Sequence, residues 1–325
     1  MCIVSPAAET ANNGNGQTAA RWSRFLSSVA DVHVALAWRG EPVGAMIALH
    51  ARRSADSVLR FRTAGNARLA LVLTGTDLYR DIDSDEDAQH AVKCASHVVV
   101  LQEEGLNRLG PGIRAKTRVI VQSAAKTPRQ EKTTRHLALV AVGHLRQEKD
   151  PLVLMRAAGL LPPGSPITIL HLGDPLDGAL ADAARQATAG CACYRWLGGV
   201  PHDVARRWIA RSHALVHMSR MEGGANVVIE AIRSGVPVLA SRIDGNVGLL
   251  GRDYEGYFPV GDAAGLAALM QRFQAEPGFA AALAAQCALR APRFAPQVER
   301  RSVRNLLADL LNMPAGDEPK GEPPG

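Results

Sequence analysis

The stretch HALVHMSRMEGGANVVIEAIRSGVPVLA, His213–Ala240, decides the architecture of this chain. Ala214–His217 is a short apolar run of strand length, and Met221–Ala225 is a glycine-bearing loop. Asn226–Ser234 has the apolar spacing of a helix, Gly235 closes it, and Val236–Ala240 is a second apolar run. Strand, loop, helix and strand in that order form a βαβ unit, whose two strands must run parallel.

The same rhythm extends in both directions. Upstream, Leu137–Val142, Ile167–Leu172 and Tyr194–Leu197 read as strands, separated by helices near Pro151–Leu160, Gly178–Thr188 and His202–Ala210. Asp150-Pro151 is a well-formed helix start, with a carboxylate at the cap and proline at the first position. The first half repeats the pattern with apolar runs at Cys2–Val4, Val32–Ala37, Ala45–Leu49, Leu69–Leu73, His97–Leu101 and Arg118–Val121. Helical stretches there include Thr18–Val29 and Ser54–Thr63. Between the halves, Ala124–Arg135 is polar, proline-bearing and aperiodic, and reads as a linker. The expected organisation is a Rossmann-like domain over 1–130, a second over 136–296, a final helix over 297–312 and a disordered tail over 313–325. That helix is a candidate to pack back on the first domain. The fold class is α/β, two doubly wound domains facing across a cleft.

Composition agrees. The 325 residues are 47% hydrophobic and 21% charged but only 4% aromatic, so small aliphatic side chains must build the cores. That suits helices on parallel sheets. No apolar run has the length of a membrane span, and Met1–Pro6 lacks the features of a signal peptide. Five cysteines without export features fit reduced thiols, and a cytoplasmic location is expected. The charge is uneven: residues 1–135 hold 18 Lys and Arg against 13 Asp and Glu, while the remainder holds 19 against 18. The arginines are dispersed and no nucleic-acid motif is present, so a small anion is the expected partner of the basic half. A merely solvated basic surface accounts for the charge equally well.

Met221-Glu222-Gly223-Gly224-Ala225-Asn226 presents bare backbone amides at a helix start, a setting for a phosphate or a sugar hydroxyl. Glu222 in the loop can accept hydrogen bonds from sugar hydroxyls, and Glu230 in the helix can take a ribose diol. A plain turn with a surface glutamate is the alternative.

Two glutamates separated by seven residues, followed by Gly235-Val236-Pro237-Val238, resemble the donor signature of retaining GT-B glycosyltransferases. Val142-Gly143-His144-Leu145-Arg146-Gln147-Glu148-Lys149-Asp150 resembles that family's strand–loop segment, which grips the donor pyrophosphate. The resemblance places Gly143, His144, Arg146, Lys149, Gly223, Gly224, Ala225, Asn226 and Glu230 at a nucleotide-sugar donor. Lys149 falls on the family's lysine. His144 stands where the family has arginine, and Arg146 is the candidate to supply the missing charge. The strings Ala48–Ser54, Leu73–Arg80, Ser219–Asn226 and Asp244–Gly251 resemble more narrowly the selenosugar synthases of selenoneine biosynthesis. This implies transfer from UDP-N-acetylglucosamine or UDP-glucose to selenophosphate, with no metal or other cofactor.

The first half offers matching acceptor candidates. Asn15 and Gly16 follow the first strand and open a helix. Arg52 and Arg53 follow another strand end and can fork onto phosphate oxygens. Thr76 sits at a third strand end. Each also reads as an ordinary turn residue. His50 is a candidate proton carrier, with Glu222 the other candidate catalytic residue. Asp81, Asp83, Asp85 and Asp87 alternate but lack the glycine and glutamate of a calcium loop, and read as a solvated helix start. The competing functions are an ordinary GT-B enzyme acting on a glycan or glycolipid, and a non-catalytic nucleotide-sugar sensor.

Overall fold

In the strand Leu69–Leu73, residues 69, 71 and 73 enter one apolar core and residues 70 and 72 enter another, so both faces of its sheet are covered. Such a strand has no solvent face, which is why it reads as a continuous apolar run. The computed structural model describes residues 1–7, 14–128 and 130–312. By contact the chain divides into two units, Met1–Gln122 with the chain from Pro296, and Ser123–Ala295.

The first unit runs β1 Cys2–Val4, α1 Gly14–Leu26, β2 His33–Ala35, β3 Met46–Leu49, α2 Ala55–Thr63 and β4 Leu69–Leu73. A π-helical turn, Asp77–Asp81, leads into α3 Ile82–Ser84 and α4 Glu86–Cys94, then β5 His97–Val100, α5 Pro111–Arg114 and β6 Thr117–Val119. The six strands are parallel in the order β2-β1-β3-β4-β5-β6. On one face α2 and α4 bury Val58, Phe61, Ala88 and Ala91 against the sheet. On the other, Trp22 and Leu26 of α1 share a core with Val303, Leu306, Leu307 and Leu310 of the last helix.

The second unit runs β7 Leu137–Val142, α6 Pro151–Gly159, β8 Ile167–Leu172, α7 Gly178–Gly190, β9 Tyr194–Trp196, α8 His202–Arg211, β10 Ala214–His217, α9 Asn226–Arg233 and β11 Val238–Ser241. It continues through α10 Asp244–Leu250, β12 Tyr257–Phe258, α11 Ala263–Ala275 and α12 Pro277–Arg290; α13, Pro296–Asn312, then returns to the first unit. Its parallel order is β12-β11-β10-β7-β8-β9. Sequence order reverses at the β7/β10 boundary here and at β1/β3 in the first unit. In open α/β sheets such switch points are where ligands sit, outside the carboxyl ends of the strands.

Two details differ from the sequence reading. Helix α1 begins at Gly14, so Asn15 and Gly16 lie in its first turn rather than in a loop before it. The tail 313–325 lies outside the described residues. The segment read as a linker is carried by the second unit: Arg206 donates to the Ala125 carbonyl at 2.6 Å and to Thr127 Oγ1 at 2.9 Å, and Arg233 to the Ala124 carbonyl at 3.1 Å. Two of these three bonds fall on backbone carbonyls, which composition does not reveal, and the unit boundary precedes the segment, at Gln122/Ser123.

Candidate donor and acceptor sites

At the switch point of the second unit the loops after β7 and β10 are tied into one body. The Arg220 amide donates to the Glu148 carbonyl at 2.8 Å, and Arg220 Nε lies 2.9 Å from Asp150 Oδ2. Asp150 has φ 47°, a left-handed conformation uncommon outside glycine, and it turns the chain from the β7 loop into α6. The loop after β8 closes the other side, with its Asp174 amide donating to His144 Nδ1 at 3.1 Å. A Cβ on Gly173 would stand 1.9 Å from the Gly143 carbonyl oxygen, so only glycine permits this approach.

Within this frame the Lys149 ammonium is hydrogen-bonded to the Glu222 carboxylate. His217, buried at the end of β10, brings Nε2 to 3.5 Å from the same carboxylate and 3.2 Å from Ser219 Oγ. Burial alone would raise the Glu222 carboxyl; the Lys149 charge and the His217 contact outweigh it and hold it well below the usual carboxylate range. Glu222 is therefore an anion, suited to accept from hydroxyls rather than to give a proton. Arg146 supplies a second cation in the β7 loop, and its buried Nε has no hydrogen-bond partner among the described residues. His144 is taken up by the Asp174 amide and contributes to loop geometry.

Helix α9 opens after Gly223-Gly224-Ala225. Ala225 at the cap position has no side-chain acceptor, so the first amides of α9 lack a side-chain cap. One turn along, Glu230 is 6% exposed, and its Oε1 accepts from His202 Nε2 at 2.6 Å. The structure thus places Lys149 on Glu222, Gly143 beside the Lys149 stem, and Glu230 on α9 behind the glycine loop. Sequence reading missed His202, His217 and Gly245. A Cβ on Gly245 would lie 2.2 Å from the Glu222 carbonyl oxygen, so its lack of a side chain lets the start of α10 close on the Glu222 loop. Gly245 lay within a quoted string, but no spacing linked the two histidines to the glutamates.

In the first unit, α1, His50 and Thr74–Asp77 follow β1, β3 and β4, three adjacent strands. His50 has φ 72° and is buried, a costly conformation held by its surroundings. Its Nδ1 accepts the Arg53 amide at 3.3 Å, so Nε2 carries the proton and donates to Thr76 Oγ1 at 3.0 Å. Burial keeps the imidazole below its ordinary pKa although Asp77 opposes this. His50 is thus a neutral donor, and the Thr76 hydroxyl proton is left for another acceptor. Asp77 accepts from the amides of Ala51, Thr74 and Gly75 at 2.8–2.9 Å and fixes both loops. Arg53 is exposed; Arg52 Nε pairs with Asp85 at 2.9 Å. Of the alternating aspartates, Asp83 pairs with Arg108 and Asp85 also caps α4. Among the described residues no group of three or more His, Cys, Asp or Glu is arranged to hold a metal ion, and no helix is long and apolar enough to cross a membrane.

Residues 136–276 match the family model described as Glycosyl transferases group 1. Among solved structures, the chain is similar to sucrose-phosphate synthase from Thermosynechococcus elongatus, with a TM-score of 0.77 and 16% identity over 95% of this chain and 98% of that one. It is also similar to HepE from Anabaena in complex with UDP-glucose, with a TM-score of 0.72 and 15% identity over 95% and 99% of the two chains. TarM from S. aureus matches with a TM-score of 0.64 and 14% identity, over 92% of this chain and 59% of its own. At these identities the likeness is one of fold. The chain has the GT-B fold of two parallel-sheet, Rossmann-like domains.

Proposed function

We propose that this chain is a glycosyltransferase that takes its sugar from a UDP-sugar bound by the second unit. The observation that carries the reading is the convergence of Lys149, Glu222, the Gly223-Gly224 loop and Glu230 at the β7/β10 switch point, inside the segment that matches the glycosyltransferase model. Lys149 and Arg146 meet the pyrophosphate with the amides of the α9 start. Glu222 accepts from hydroxyls of the sugar, and Glu230 from the ribose. HepE, of the same fold, is seen with UDP-glucose.

The acceptor we infer is selenophosphate. Two considerations support it: the resemblance of four sequence strings to the selenosugar synthases, and a first-unit switch point that presents donors to an anion. Those donors are the Thr76 hydroxyl, the first amides of α1 at Asn15 and Gly16, and Arg52 or Arg53. Selenium attacks the anomeric carbon as the bond from that carbon to the UDP oxygen breaks. Water then cleaves the phosphorus–selenium bond, which leaves a 1-seleno sugar, UDP and phosphate. The nucleophile is already anionic, so the protein's task is to position both anions and stabilise the leaving UDP. His50 then acts by orienting Thr76. The pyrophosphate charge is met by side chains and amides, so the reaction needs no metal.

The test is turnover of UDP-N-acetylglucosamine or UDP-glucose with selenophosphate, read by mass detection of the seleno sugar, with and without chelator. We expect product and UDP in equal amounts in both conditions. Turnover only with a glycan or glycolipid would replace the acceptor assignment and leave the class standing. Loss to chelator with recovery on magnesium would overturn the metal-free account. No UDP binding at all would overturn the donor site.

A further inference from the structure

We propose that His202 is the positioning residue that holds Glu230 in register for the ribose, so that nucleotide recognition in the second unit is made by a His–Glu pair rather than by one carboxylate. This rests on the donor reading above. His202 is the first residue of α8, and Glu230 lies in the middle of α9, 28 positions later. No sequence pattern connects them, yet Nε2 and Oε1 stand 2.6 Å apart. The carboxylate has no proton to give, so Nε2 is the donor.

The contact fixes more than a distance. A glutamate side chain in a helix has several rotamers and a nearly free terminal torsion. Hydrogen-bonded to His202, the Glu230 carboxylate has its plane set before any ligand arrives. An ionised carboxylate has about four acceptor positions, and His202 takes one of them. Enough remain for a vicinal diol, one hydroxyl on each oxygen. The burial of the pair differs: the Glu230 side chain is 7% exposed and the His202 side chain 40%. The imidazole is therefore the solvent-facing partner of the pair. Ordering the acceptor in advance lowers the entropy lost on binding.

The pair is testable with UDP and 2′-deoxy-UDP, measured by calorimetry on the full chain. E230A should weaken UDP and abolish most of the preference over the deoxy nucleotide. H202A should raise the Kd for UDP about threefold to tenfold and reduce the same preference. H202Q should restore both, because the glutamine amide nitrogen can occupy the place of Nε2. Circular dichroism of H202A should match wild type, and any fall in its thermal midpoint from the unpartnered Glu230 carboxylate should be recovered in H202Q. A structural role alone would not move the UDP to 2′-deoxy-UDP ratio. If E230A weakens UDP while H202A keeps wild-type affinity and ratio, the pair is wrong and the donor site stands. Tighter binding by H202A would make His202 a cover over the carboxylate and overturn its positioning role. An unchanged E230A would overturn the donor reading and this inference together.

Discussion

His171 has no exposed surface, and its Nδ1 lies 2.8 Å from the Tyr194 hydroxyl inside the second unit. Burial pushes its pKa from the ordinary 6.5 down to about 4. In the unfolded chain the same imidazole takes its proton near 6.5. Between those two values the unfolded state holds more protons, so stability falls as pH drops from about 6.5 to about 4 and this contribution levels off below. The drop is worth about 3 kcal/mol. The loss of unfolding free energy between pH 7.5 and pH 4.5, measured in urea, should be smaller by most of that amount in His171→Gln. An equal loss in both proteins would place the acid sensitivity elsewhere. At this scale the sequence was partly legible. Glu222, Glu230 and Lys149 stand out by type and spacing near glycines. His171, His202 and His217 do not, because a histidine's role depends on what it faces.

The last helix shows what an element gains from one side chain. Glu299 is 1% exposed on α13; its Oε1 accepts from Trp22 Nε1 and its Oε2 from Arg21 Nε, both at 2.7 Å. Arg304 adds a bond to the Phe25 carbonyl at 3.0 Å. Apolar burial of Val303, Leu306, Leu307 and Leu310 drives the docking, and Glu299 sets its register on α1. Glu299→Ala leaves a guanidinium and an indole N–H without their acceptor in a dry site. It should destabilise the first unit by about 3 kcal/mol in urea titrations and leave UDP affinity unchanged. A loss below about 0.5 kcal/mol, the range of ordinary surface changes, would show that the contact is dispensable. The sequence displayed α13 as an amphipathic helix and left its packing on the first domain as an expectation. The α1 boundary shifted because Gly14, Asn15 and Gly16 are poor helix formers alone, and α1 continues through them in the packed chain.

Each unit of the whole molecule has its own sheet and buried strands. A ligand held by one unit stabilises that unit by mass action, about 2.7 kcal/mol at a hundredfold excess over Kd. Calorimetry of the full chain should resolve two transitions, with UDP raising only one. The second unit should be identifiable as the responsive one through E230A, in which the UDP shift shrinks. A single transition moving as a whole would show that the units unfold together.

The alternation of apolar runs with helical segments was enough to determine two parallel-sheet units, because strands buried on both faces cannot hide their composition. The glutamate pair, the glycines between and Lys149 were likewise visible, since loops at strand ends need particular backbone freedom and charge. Strand order was not visible: nothing local distinguishes β2-β1-β3 in one unit from β8-β7-β10 in the other. Nor were the His202–Glu230 bond, the approach of Gly245 to the Glu222 loop, or the anchoring of residues 124–127 on α8 and α9. These join residues far apart along the chain, and their energies exist only once packing has brought the partners together. Periodicity records how each segment meets water or core; which segment it meets is decided by the tertiary structure.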